Sequence, residues 1–260
     1  MRGNSVYDFV ISSSVRVDIL QLLAATARPT DRLIDQLDAS TSAVYTALSD
    51  LERQGVVFDG ESGWTLTGQG CLVLDLIERR NSTFQTINHD QEYWENHRTD
   101  HIPREFRRRL PELGPYDVVR SEPPDVRAHA RAVVDLLEQA DSCRTAVPIR
   151  VPEYSDAFPD HPDSRLILPP GVIDQLQGEV EAGTRETVRE LDAAQYRVAD
   201  IQFGFTVSDS YMMLALRPMG QHPVESVLIS EADSAIRWAS DLYESLWREA
   251  EPLDSFLSRV

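Results

Sequence analysis

Ser40-Thr41-Ser42-Ala43-Val44-Tyr45-Thr46-Ala47-Leu48-Ser49-Asp50-Leu51-Glu52-Arg53-Gln54-Gly55 is the stretch on which the fold of the N-terminal third turns. Val44, Leu48 and Leu51 recur at i, i+4 and i+7 and share one helical face, while Ser42, Tyr45, Thr46 and Ser49 share the nearly opposite one. Ser40 or Thr41 supplies an N-cap hydroxyl, and Gly55 ends the helix. A solvated helix face in an acidic chain should be full of Asp and Glu. Here the acids are held back to Asp50 and Glu52, and the first two turns offer hydroxyls, a phenol and a methyl. Such groups suit a helix that enters a major groove, touches base edges and thymine methyls, and avoids repelling phosphate.

Working outward, Val56-Val57-Phe58, the turn Asp59-Gly60-Glu61-Ser62-Gly63 and Trp64-Thr65-Leu66 read as a β-hairpin. Upstream, Ser12-Ser13-Ser14 precedes the stripe Val15, Ile19, Leu22, Leu23, an amphipathic helix ending near Ala25. Thr30 is expected to cap a short helix from Asp31 to Leu37. Helix, helix–turn–helix and hairpin, in that order, predict a winged helix–turn–helix over residues 1–80. The expected DNA-facing residues are Ser40, Thr41, Ser42, Tyr45, Thr46 and Ser49, with Arg16 and Arg53 as phosphate contacts and Gly60 and Gly63 at the hairpin turn. Thr67-Gly68-Gln69-Gly70 should cap a further helix, Cys71 to Arg80; with no third glycine and no buried strand before it, Gly68-x-Gly70 is no dinucleotide loop.

The chain has 260 residues, 43 acids against 25 basic residues and a formal net charge of -18, and every basic residue is Arg. The absence of Lys excludes a Walker A lysine, a Schiff base and the kinase strand lysine. Self-repulsion at this charge is relieved by salt, so a carboxylate surface without Lys points to multimolar intracellular salt, the alternative being a GC-rich genome poor in Lys codons. Residues 1–80 carry 11 acids and 7 Arg, the less acidic part of the chain. Cys71 and Cys143 form no CxxC and are expected as two reduced, buried thiols. No apolar run approaches the ~20 residues that span a bilayer, which predicts a cytoplasmic protein with no membrane partner.

Residues 81–120 are expected as a helical connector, polar and broken at Pro103, with Pro111, Pro115, Pro123 and Pro124 punctuating the exit from it. His97 and His101 stand i, i+4, but Pro103 and the missing His-Glu-x-x-His leave them as capping or satisfied histidines, and no metal or other cofactor is expected. Over 121–260 the chain alternates: helix 125–141, strands 144–151 and 165–168, helices 171–182 and 184–194, strands 196–199, 201–207, 211–216 and 224–229, and a closing helix 231–249. The whole is thus α+β, with a C-terminal α/β domain on a mixed sheet. No Gly-x-Ser-x-Gly elbow, Cys–His motif or acid-rich metal cluster appears, so no catalytic residue and no enzyme activity is expected.

Trp94-x-x-His97, Ile102-Pro103-x-x-Phe106-x-x-x-Leu110-x-x-Leu113, Val207-Ser208-Asp209 and Val227-Leu228-Ile229-Ser230-x-x-x-Ser234-Ala235-x-x-Trp238-Ala239, with Leu242-Tyr243 and Ala250-Glu251-Pro252-Leu253, carry a further signal. With them the chain resembles an archaeal family of winged-helix regulators in which a sensor domain of the methanogenesis-regulatory type follows the winged domain. Ala239 stands where the family usually has Gly, a departure that bears on helix packing. The resemblance implies a sequence-specific transcriptional regulator that binds double-stranded promoter DNA and couples it to a cue, such as a small-molecule effector, whose binding residues it does not identify. A homodimer would set two Ser40–Ser49 segments about 34 Å apart in successive major grooves. The alternative is a winged-helix adaptor in transcription that contacts proteins and not DNA.

Overall fold

The computed structural model describes residues 5–181, 195–220 and 223–259 and divides into two compact units, one ending at Phe84 and one beginning at Gln85.

The first unit opens on α1 (Val6–Ile11), which the sequence reading did not include. Ser5 and Asp8 close its start as a capping box: Ser5 Oγ accepts the Asp8 N–H at 3.1 Å while the Asp8 carboxylate faces the Ser5 N–H. The expected triple-Ser cap on α2 (Ser14–Leu23) is not what forms. Ser12 turns back to donate to the Phe9 carbonyl at 2.8 Å, and Ser13, the N-cap, makes no side-chain bond. In α3 (Thr30–Gln36) the N-cap is Pro29, and Thr30 is the first helical residue; its hydroxyl accepts the Trp64 indole N–H at 3.0 Å. Then comes α4 (Thr41–Arg53), with Ser40 as N-cap accepting the Ala43 N–H at 3.3 Å, as expected.

Strands β1 (Val57–Gly60) and β2 (Gly63–Leu66) pair antiparallel with Gly60 opposite Gly63. This is the winged helix–turn–helix order. Trp64 also exchanges backbone hydrogen bonds with Arg28, which lays the hairpin against the start of α3. A longer helix than expected follows, α5 (Gly68–His89), reaching His89 and not Arg80. Gly70, within its first turn, is obligatory: a Cβ there would lie 2.1 Å from the Val56 carbonyl oxygen. Val10, Ile19, Leu20, Leu33, Val44, Leu48, Leu51 and Ile77 make the core of this unit. Cys71 is exposed, correcting the expectation of a buried thiol, whereas Cys143 is buried and burial pushes its pKa up to about 11.

The second unit contains α6 (Gln91–Asn96), α7 (Arg104–Arg107), a 3-10 turn (Leu110–Leu113), β3 (Asp117–Arg120), α8 (Ala128–Gln139), β4 (Arg144–Ala146), α9 (Pro152–Ala157), β5 (Arg165–Leu168) and α10 (Pro170–Glu181). It continues with β6 (Tyr196–Val198), β7 (Gly204–Val207), β8 (Met212–Ala215), β9 (Ser226–Ser230), α11 (Asp233–Glu249), β10 (Glu251–Pro252) and α12 (Leu253–Leu257). The strands form one sheet in the order β10-β6-β5-β4-β7-β8-β9-β3, parallel for β4–β5 and β5–β6 and antiparallel elsewhere, a mixed sheet as expected. Strand β4 stops at Ala146 and not Val151, for Pro148 and Pro152 carry no N–H to continue a ladder. The expected helix 184–194 lies outside the described residues.

The segments that carried the family resemblance, far apart in sequence, meet in one core. The Trp238 indole donates to the Phe106 carbonyl at 3.0 Å, and the Ser230 hydroxyl reaches the carbonyls of Leu113 and Pro115 at 2.8 Å each. His97 stacks on Tyr93 with its Nδ1 2.7 Å from the Tyr93 carbonyl, which fixes Nδ1 as the protonated nitrogen and leaves Nε2 to accept from Ser226 at 2.9 Å. Burial holds the His97 pKa below its usual value against the hydrogen bond to Tyr93. The Asp90 carboxylate caps α6 through the Tyr93 N–H at 2.9 Å and takes two bonds of 2.6 Å from Arg120. No described helix is long and apolar enough to cross a membrane.

Candidate nucleic-acid interface

With Val44, Leu48 and Leu51 buried against α2 and its neighbours, α4 turns Ser42, Tyr45, Thr46 and Ser49 outward, all exposed together with Ser40 and Thr41 at its start. Tyr45 is 55% exposed, a large ring standing free of the core. Its hydroxyl and that of Ser49 have no partner among the described residues. Thr46 donates back to the Ser42 carbonyl at 2.8 Å, which keeps its methyl and a lone pair outward, and the Ser40 and Ser42 hydroxyls stand 3.3 Å apart. The first turn of α4 holds no acid. Its unpaired N–H groups therefore keep the partial positive charge that favours an anion at a helix N-terminus.

The two arginines behave differently from one another. Arg16 is only 18% exposed and is held on three sides: it donates to the Phe9 carbonyl at 2.8 Å, lies over the Phe9 ring at 3.8 Å and meets the Asp50 carboxylate at 3.2 Å. Arg16, expected as a phosphate contact, thus ties α2 to α4 and to Phe9. Arg53, 68% exposed, touches the other Asp50 oxygen at 2.5 Å and keeps its remaining N–H groups in solvent. Asp50 is half-buried between two cations, so the one acid along the first three turns is neutralised where it stands.

An open groove of about 240 Å³ runs between the start of α2 and α4 and brings together Ser13, Arg16, Ser42, Thr46 and Asp50. Three of the expected residues share it, whereas Tyr45, Ser49 and Arg53 lie elsewhere on the exposed side of the helix. The spacing predicts Ser13 only as a cap, and no local pattern encodes its place beside Ser42. Gly63, expected at the hairpin turn, is fixed by its surroundings within the unit. At φ +105 it faces inward, where a Cβ would stand 2.5 Å from the Arg28 carbonyl carbon. Gly60 packs beside the Phe58 ring, and the turn between the two glycines exposes Glu61 and Ser62, with Asp59 exposed just before it. This tip is acidic and so repels a polyanion.

Residues 127–249 match the model of the methanogenesis regulatory protein FilR1 middle domain, and residues 4–89 match that of the HVO_A0261 N-terminal domain. No curated protein matches the chain. Solved structures similar to it include TrmBL2, described as an archaeal chromatin protein with a novel mode of DNA binding, at 12% identity and a TM-score of 0.37, covering 92% of this chain and 93% of that one. A putative IclR-family regulator from Rhodococcus sp. is 15% identical with a TM-score of 0.23, covering 97% and 98% of the two chains. The IclR protein of Thermotoga maritima is 14% identical with a TM-score of 0.24, covering 88% and 92%. The chain is therefore similar to the HVO_A0261 N-terminal domain over its first third and to the middle domain of the methanogenesis regulatory protein FilR1 over most of its second unit.

Proposed function

We propose that the protein is a sequence-specific DNA-binding regulator of a salt-adapted cell, active as a cytoplasmic homodimer and without catalytic activity of its own. The α4 helix enters the major groove, and the second unit senses the cue that sets promoter occupancy. The observation that carries this reading is the exposed side of α4, where Ser42, Tyr45, Thr46 and Ser49 replace the acids that cover the rest of the chain. Tyr45 and Ser49 read base edges or methyls, the start of α4 meets a phosphate, and Arg53 adds one cation at the far end. With Arg16 committed to Asp50, few phosphates are neutralised, so affinity rests on base and apolar contacts.

The test is a mobility-shift assay in molar KCl on the DNA upstream of the protein's own coding sequence. Tyr45→Ala is expected to abolish the shift while the fold is kept. A shift that survives Tyr45→Ala refutes the assignment to α4. The acidic hairpin tip and the exposed Phe58 and Leu72 favour a second reading, an adaptor that contacts another transcription component. In that case the unsubstituted protein gives no shift on any promoter fragment.

A further inference from the structure

The two faces of the eight-stranded sheet are filled differently. On the face under α11, the row Ile167, Ala146, Phe205, Leu214 and Leu228 crosses five strands in register, and it joins the α11 residues in one continuous core. On the other face the central positions are small: Thr145 and Thr206 oppose one another, and one step along the strands Gly204 opposes Ala215. The apolar packing there falls into two separate clusters. One gathers α10 and α12 around Leu168, Val172 and Val198, and the other gathers α8 around Leu137, Met213 and Val227. Between them, over the small residues, lies a cavity of about 220 Å³.

We infer that this cavity is the effector site, and that it takes a small, uncharged, mainly apolar molecule of the size of a substituted benzene or an indole, carrying one hydrogen-bonding group. The inference rests on the reading of the second unit as a sensor. The volume exceeds the ~150 Å³ of apolar cavities that admit benzene. Side chains of Val133, Val147, Leu166, Leu168, Val172 and Met213 make the walls apolar. The floor offers one polar element, the buried hydroxyl pair Thr145–Thr206 at 3.0 Å, with Cys143 Sγ 3.6 Å behind Thr145. Whichever way the hydrogens run along Cys143, Thr145 and Thr206, the chain ends at the Thr206 hydroxyl with a donor or an acceptor left for a ligand. The lining holds one basic and one acidic side chain, Arg150 and Asp156, whose charges cancel. A charged ligand would therefore bring an uncompensated charge into an apolar space, which is why a neutral one is assigned.

The full-length protein, without DNA, is titrated calorimetrically in molar KCl with indole and 4-methylphenol, and with benzoate as the charged comparison. The expected result is saturable binding of one neutral molecule per chain, with benzoate weaker by about tenfold or more. Thr206→Val should weaken 4-methylphenol about fivefold, and Ala215→Leu, which fills the cavity from its floor, should abolish saturable binding. Gly204→Val fills the same space from the neighbouring strand, where a Cβ meets Ala215 at an ordinary 3.5 Å, and decides the matter if Ala215→Leu does not fold. No saturable binding of either neutral probe overturns the proposal, as does binding unchanged in a folded, filled variant. Because DNA is absent, this failure leaves the DNA-binding reading standing, and loss of the promoter shift leaves this one standing.

Discussion

The helices α4 and α11 each bury one side, and their exposed sides are built from different chemistry. Along α11 the exposed residues are Asp233, Arg237, Asp241, Glu244, Arg248 and Glu249, every one charged, with Asp241 reaching Arg109 at 2.8 Å and Glu244 reaching Arg144 at 3.3 Å. Along α4 the first two turns expose only Thr41, Ser42, Tyr45 and Thr46, with Ser49 just beyond. The ends differ too: α11 starts from Ala232 without a side-chain cap and puts Asp233 in its first turn, whereas α4 has the Ser40 cap and no acid. The α11 surface is what a strongly acidic chain makes wherever only water must be satisfied. Measured against it, the α4 surface carries hydroxyls and a free Tyr ring where strongly hydrated charges would otherwise stand.

The largest expected effect lies on the buried side of α11. Trp238→Ala removes a fully buried indole and its bond to Phe106, and should destabilise the second unit by ~3–5 kcal/mol in denaturant unfolding. A loss well under this would mean that the continuous core beneath α11 is overstated. Acid should separate the two units next. Burial depresses the pKa of both His97 and His129, so the unfolded chain binds protons that the folded unit refuses. Stability is then fully present above about pH 6.5 and falls as the pH drops from there toward the depressed folded values. Residues 1–84 contain no His. Hydrogen exchange corrected for intrinsic rates should therefore show protection around β9 falling between pH 7 and 5.5 while that of α4 holds, and His97→Gln should reduce the difference.

Smaller changes sharpen the contrast within α4 itself. Ser40→Ala removes the cap on the Ala43 N–H and should cost about 1 kcal/mol of stability in the first unit. Tyr45→Ala touches nothing buried and should leave stability within about 0.5 kcal/mol, so any loss of DNA binding in that variant belongs to the contact and not to the fold.

The buried stripe of α4, the hairpin and most strands of the mixed sheet were legible in the sequence because each rests on a periodic pattern of large apolar residues. What was hidden depends on particular partners. The role of Ser12 is set by the Phe9 carbonyl and that of Thr30 by the Trp64 indole, contacts that no local pattern encodes. Strand β3 escaped notice among prolines because four residues, Asp117–Arg120, are enough when β9 supplies a full antiparallel partner. At the candidate interface, the exposed hydroxyl face could be read from spacing alone. The capture of Arg16 by Phe9, Ser12 and Asp50 could not, since Phe9 lies in α1 and Ser12 caps its end, and that helix is not evident in the sequence pattern. The cavity was invisible for a related reason: it follows from small residues on neighbouring strands falling into register, which shows only once the strand order is known.

The central claim is that this chain recognises DNA through an acid-poor helix face with little phosphate neutralisation. The most direct measurement is the fluorescence anisotropy of promoter DNA titrated with the full-length protein across a series of KCl concentrations up to the molar range. The account predicts that log affinity plotted against log salt is nearly flat or rises. A steep fall, with a slope of about -5 to -9 as six to ten phosphate contacts would give, would contradict it.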